Sequence, residues 1–125
     1  MATYLTKEQV YSYLKMGRSL EQWLCHQKKE DYTVIKWLAV EQEKDGSYSV
    51  IFMESFDEGN KDFVDVYEFS LLNPDEPEGV IDSFDSVEEA LTFITENYGG
   101  SEDKFVPARM IQERYRDYLN NINNQ

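Results

Sequence analysis

The chain has a single cysteine, Cys25, and a single histidine, His26, in 125 residues. One cysteine excludes an internal disulfide and is expected of a protein in a reducing, cytoplasmic setting. The same scarcity excludes the usual zinc combinations from one chain. Cys25 beside His26 is also a poor nucleophile–base pair, because adjacent helical residues point apart and no third residue orients them. Bases are scarce as well: 12 Lys and Arg face 25 Asp and Glu, for a net charge of -13. That balance opposes binding to nucleic acid, where phosphate contacts draw on Lys and Arg, and to anionic membranes. Long apolar runs are missing too. None approaches the roughly 20 residues that span a bilayer, and MATYLTKEQ lacks the basic and apolar regions of a signal peptide. No linker, internal repeat or low-complexity segment interrupts the chain.

What is present suits one α+β domain over 1–125, with 41% hydrophobic residues to build its core. Thr6 with Gln9 forms a capping box for a first helix, and Gly17 stops it. Ser19 with Gln22 repeats the signal, and Leu20, Trp23 and Leu24 give a second helix its apolar side. Two short helices around Gly17-Arg18-Ser19 raise a helix-turn-helix reading. Residues 1–53 carry seven bases and seven acids, so they lack the positive field that DNA recognition needs. A helical pair covering a sheet face is the expectation instead.

Three strands should follow, over Val34–Gln42, Ser47–Glu54 and Asp62–Ser70, with a hairpin turn at Glu43-Lys44-Asp45-Gly46. Ile35, Trp37 and Ala39 share one parity, and Val34, Leu38 and Val40 share the other. Tyr48, Val50 and Phe52 likewise alternate with Ile51 and Met53, and Phe63, Tyr67 and Phe69 with Val64 and Val66. Apolar residues at both parities mean a sheet that needs cover on both sides, or one that offers its barer side to a partner. Val80–Phe84 reads as a short fourth strand or an extended lead into a helix that Ser86 and Glu89 cap and Gly99-Gly100 ends. A final helix should begin near Pro107, bury Met110, Ile111, Tyr115, Tyr118 and Leu119, and fray from Asn120. The expected architecture is an antiparallel three- to four-stranded meander, with two short N-terminal and two C-terminal helices packed mainly on one face.

The charge is concentrated. From Glu54 to Glu89 there are thirteen acids and one base, Lys61. Asp57, Glu58, Asp62 and Asp65 invite a test for a divalent cation, but Gly59 comes too early for a calcium loop and no ladder of ligands follows. Gly99-Gly100 is followed by Glu102 and Asp103, which excludes a phosphate loop. Asp65, set among aromatics, could have a raised pKa if buried, and with Tyr67 it supports an alternative reading as a carboxylate-dependent enzyme or ligand-binding domain. The plainer reading gives Asp65 a backbone or tyrosine partner. No catalytic residue, metal or cofactor is assigned.

Tyr and Trp suit protein interfaces. The leading expectation is a non-enzymatic module, acting as an inhibitor, assembly factor or regulator, that docks on a basic protein. Its expected surface has Tyr48, Phe52, Phe63, Tyr67 and Phe69 at the centre, with Asp57, Glu58, Asp62, Asp65, Asp75, Glu76 and Glu78 at the rim. A homodimer closing over the barer sheet face is the third expectation.

Overall fold

The computed structural model describes residues 4–123. Helix α1 (Lys7–Lys15) starts at the Thr6–Gln9 capping box, in which both reciprocal hydrogen bonds are made, at 3.2 and 2.8 Å. It buries Val10 and Leu14.

Beyond Gly17 the chain does not form the expected second helix. Leu20–Lys28 is a strand, β1, paired antiparallel with β2 (Thr33–Gln42). Trp23 lies opposite Trp37 while Cys25 lies opposite Lys36, so Leu24 is the extra residue of a β-bulge. Leu20 and Leu24 pack against one core cluster and Trp23 against a second, as alternation along a strand places them, and the bulge returns His26 to the side of Trp23, against Tyr118. Spacings of four and three result, which imitate a helix in a strand. With no second helix, the helix-turn-helix geometry disappears.

A hairpin at Glu43–Ser47, tied by the Asp45 carboxylate to the Ser47 N–H at 2.9 Å, leads into β3 (Tyr48–Phe56). The next sheet strand is β4 (Val80–Phe84), which pairs antiparallel with β3 from Tyr48↔Phe84 to Phe52↔Val80. Gly79 sets up that entry: its φ is +83°, and a Cβ there would sit 2.6 Å from the Phe52 carbonyl oxygen. The two-residue β5 (Val106–Pro107) pairs with Leu20 and Glu21. All pairings are antiparallel, in the order β4-β3-β2-β1-β5.

The stretch Asp62–Ser70, expected as the third meander strand, stays out of the sheet. Asp65 accepts a hydrogen bond from the Tyr67 N–H (3.2 Å) and caps a 3-10 turn at Val66–Glu68. Val66 and Phe69 are buried, and the Phe63 and Phe69 rings meet edge-on at 5.4 Å. The Asp65 cap, the turn at Val66–Glu68 and an isolated bridge between Asn60 and Phe63 interrupt the extended backbone, so the alternation that suggested a strand is not realised.

Both sheet faces are covered. On the first, α1 and α2 (Val87–Tyr98) pack Val10, Leu14, Val87, Ala90, Leu91 and Ile94 against Leu20, Leu38, Val40, Tyr48 and Val50. On the second, α3 (Ile111–Asn123) and the turn at Val66 pack Ile111, Tyr115, Tyr118, Leu119, Val66 and Phe69 against Ile35 and Trp37. The helices are therefore split between the faces, and among the described residues there are three of them, not four. The last helix starts at Ile111 because Pro107 is occupied in β5, and Arg109 (φ 77°) turns the chain before it. It continues through Asn123; Asn124 and Gln125, the end of the stretch expected to fray, lie outside the described residues. Among the described residues no helix is long and apolar enough to cross a membrane.

Candidate functional site

The fold scatters the aromatic centre of the expected surface. Tyr48 and Phe69 are buried, one in each core cluster, so no partner reaches their rings. Phe52 is half-buried and stacks on Tyr98 at 4.3 Å. Tyr67 is half-buried between Trp37, whose ring is 5.4 Å away, and the Arg109 guanidinium, 4.5 Å from its own ring. Phe63 alone of the five is exposed, at 40%.

The acids divide in the same way. Asp57 is structural: its Oδ1 accepts from the Tyr115 hydroxyl and its Oδ2 from the Tyr118 hydroxyl at 2.7 Å. Asp65 caps its 3-10 turn and lies 3.5 Å from the Gln112 Nε2. Glu58 accepts from the Ser70 N–H at 2.5 Å and closes the loop between them. Asp62, Asp75, Glu76 and Glu78 are exposed. Among the described residues, no three or more His, Cys, Asp and Glu side chains are grouped to hold a metal ion.

Sequence reasoning missed a buried carboxylate, Glu21, only 5% exposed. It accepts from the Tyr67 hydroxyl (2.5 Å), the Arg109 N–H (2.7 Å) and the Ile111 N–H (3.2 Å). Burial raises its pKa, against the lowering effect of these donors and the Arg109 charge. Tyr67, Tyr115 and Tyr118 are all pushed above the ordinary phenol range, first by burial and then by the carboxylate each one faces. Tyr67 thus spends its hydroxyl on Glu21 and not on Asp65. The arrangement caps the N-terminal turn of α3 and pins the irregular chain to the sheet. Glu21 was hidden because Leu20, Trp23 and Leu24, which serve the two faces of a strand, fall at helical spacing.

The surface that remains open lies along β4. This strand ends the sheet, and among the described residues nothing pairs with its outer side. Val80 is 41% exposed and Ile81 47% exposed. The loop entering β4 carries Asp75, Glu76 and Glu78, β4 itself carries Asp82, and the chain leaving it carries Asp85, Glu88 and Glu89. No base occurs from Asp62 to Glu102. Of the thirteen acids from Glu54 to Glu89, Glu54 alone makes an ion pair among the described residues, with Lys36 at 3.5 Å. Between β4 and α2 runs a groove of about 410 Å³, floored by Phe84 and Phe93, whose rings lie 4.8 Å apart, and walled by Glu88, Glu89 and Glu96. No family model, curated protein or solved structure matches the chain.

Proposed function

We propose that this domain is a non-enzymatic protein-binding module, an inhibitor, assembly or regulatory factor, whose acidic side docks on a basic protein surface. The observation that carries the reading is the unpaired negative charge along the β4 side, which lies beside exposed Val80 and Ile81 and an apolar groove. Charge of one sign without internal partners speeds encounter with the opposite sign and discourages wrong partners. Apolar area within the charged rim supplies short-range affinity once contact is made. The buried and half-buried carboxylates give no comparable support to an enzyme: Glu21 and Asp57 spend both oxygens on tyrosine hydroxyls or backbone N–H groups of the fold, and Asp65 spends its Oδ1 on the Tyr67 N–H.

The test begins with capture from native lysate at low ionic strength. Affinity for the purified captured protein is then measured against salt. Binding should weaken steadily with added salt, because the charges lie at the surface. Amides replacing Asp75, Glu76 and Glu78 should slow association while changing unfolding free energy by less than about 0.5 kcal/mol, the usual range for exposed positions. Affinity indifferent to salt would remove the electrostatic reading. A large loss of folding stability from the amides would assign these acids to the fold.

A further inference from the structure

The two edges of the sheet are built differently. At the β1/β5 edge, β5 has only two residues and one is Pro107, β1 is bulged at Leu24, and beyond the bulge lie exposed Cys25, His26, Gln27 and Lys28. Proline, bulges and lysine are the devices that stop strands from adding to an edge. The β4 edge has none of them. Its five residues pair with β3 in unbroken register, and alternate residues of an edge strand turn their backbone N–H and C=O groups outward.

Val80 and Ile81 lie on opposite faces of the sheet, since successive strand residues alternate. A flat partner resting on either face would cover only one of them. A strand laid beside β4 flanks both. Its side chains on the α2 side would lie next to Val80, Asp82 and Phe84, and those on the other side next to Ile81 and Ser83.

We propose that the partner docks by strand addition: an extended segment bearing lysine or arginine pairs with the outer side of β4, and one cationic side chain lies in the groove between β4 and α2. The proposal rests on the reading of the acidic module and specifies its geometry. The groove fits a long basic side chain in both its parts. Phe84 and Phe93 offer aromatic floor to the aliphatic stem or the cation, and Glu88, Glu89 and Glu96 surround the head. A second copy of this chain is the wrong occupant, because antiparallel pairing of two β4 strands about their central residue would set Asp82 opposite Asp82 and bring Glu78 of each copy beside Asp85 of the other. Like charges placed opposite one another in a sheet are destabilising.

The experiment uses the full-length chain with isotope-labelled backbone and two blocked peptides of about nine residues, enough to span β4. One alternates lysine with valine; the other keeps every lysine and replaces the central valines by proline. The lysine–valine peptide should bind, shift the amide resonances of Val80–Phe84 and slow their hydrogen exchange. The proline peptide should bind at least about ten-fold more weakly, because it cannot complete the ladder. Equal binding of the two overturns strand addition and leaves the acidic docking reading standing. Binding of neither at low salt overturns both. A Glu88→Gln, Glu96→Gln variant, which keeps the helix-capping Glu89, should lose about ten-fold for the lysine–valine peptide; unchanged affinity overturns the groove as the cation's seat. A dimer in sedimentation with Val80–Phe84 protected in the absence of peptide overturns the choice of occupant in favour of self-pairing.

Discussion

The two faces of the sheet are closed by different physics. On the α1/α2 face the contact is hydrocarbon against hydrocarbon, from Leu14, Leu20, Leu38, Val50, Leu91 and Ile94. Its one buried polar side chain with a long-range bond is Gln22, which both donates to the Ser101 carbonyl and accepts from the Ser101 N–H, each at 2.8 Å. On the α3 face, three tyrosine hydroxyls end on two carboxylates, Tyr67 on Glu21 and Tyr115 with Tyr118 on Asp57. Two buried polar atoms there, Trp37 Nε1 and Ser55 Oγ, have no protein partner among the described residues. The difference follows from what each face must hold. Regular helices satisfy their own backbones, so area alone fastens α1 and α2. The chain from Asp57 to Leu72 is irregular and needs bonds that fix direction as well as depth.

The contrast can be broken most forcefully on the apolar side. Leu38→Ala, at a fully buried position under α1 and α2, should cost about 2–5 kcal/mol in urea unfolding. A smaller loss would mean that the α1/α2 face collapses readily around a void. Asp57→Ala comes next, since it strands two tyrosine hydroxyls, and should cost about 1–3 kcal/mol. Its distinguishing sign is local: hydrogen exchange should rise across residues 57–72 before it rises in α1 or α2. Uniform loosening of the whole sheet would erase the distinction between the faces.

The third effect separates the faces by pH. Tyr67, Tyr115 and Tyr118 hold their protons above the ordinary value of about 10, whereas the unfolded chain releases them there. The native state therefore binds more protons than the unfolded one above that point. The stabilisation is complete below about pH 10 and is lost as pH rises toward the higher folded values. Thermal unfolding should show Tm falling through this window, and the fall should be shallower with Tyr115→Phe and Tyr118→Phe together. An equally steep fall in that variant would assign the alkaline loss to groups other than Tyr115 and Tyr118. The smallest effect belongs to Ser55→Ala. Removing a buried hydroxyl without a partner should leave stability within about 0.5 kcal/mol of wild type or raise it. A loss well beyond that would reveal a bond the hydroxyl makes in solution.

Much of the apolar face was legible because its signals are local. The Thr6–Gln9 box, the Ser86 cap and the alternation in β2 and β3 each sit within a few residues, and each specifies the element that forms. The parity of Ile35 and Trp37 against Leu38 and Val40 also marked a second face in need of cover, although the helices were expected mainly on one face and a partner was the other way to fill it. The α3 face was hidden for opposite reasons at its two ends. In β1 apolar residues for both faces, Leu20 and Leu24 on one and Trp23 on the other, fell at the spacings of a helix. In Asp62–Ser70 an Asp65-capped turn broke an apparent alternation that no single residue contradicted. Glu21 meets Tyr67 and Ile111 across 46 and 90 residues, so no window of sequence contains the bond. Of the expected surface, the acids around β4 were legible as charge; the aromatics were not, because composition does not tell a ring in the core from one at the surface.

The unequal edges have a consequence for stoichiometry. A sheet open on both sides can pass strands along without limit, each copy receiving one and offering another. Here Pro107 and the bulge at Leu24 interrupt one side, and the other ends in β4. In such a sheet the valence is one. If a segment adds to β4, the interrupted β1/β5 side recruits no further copy of this chain, so the expected product is a one-to-one complex and not a filament of this chain.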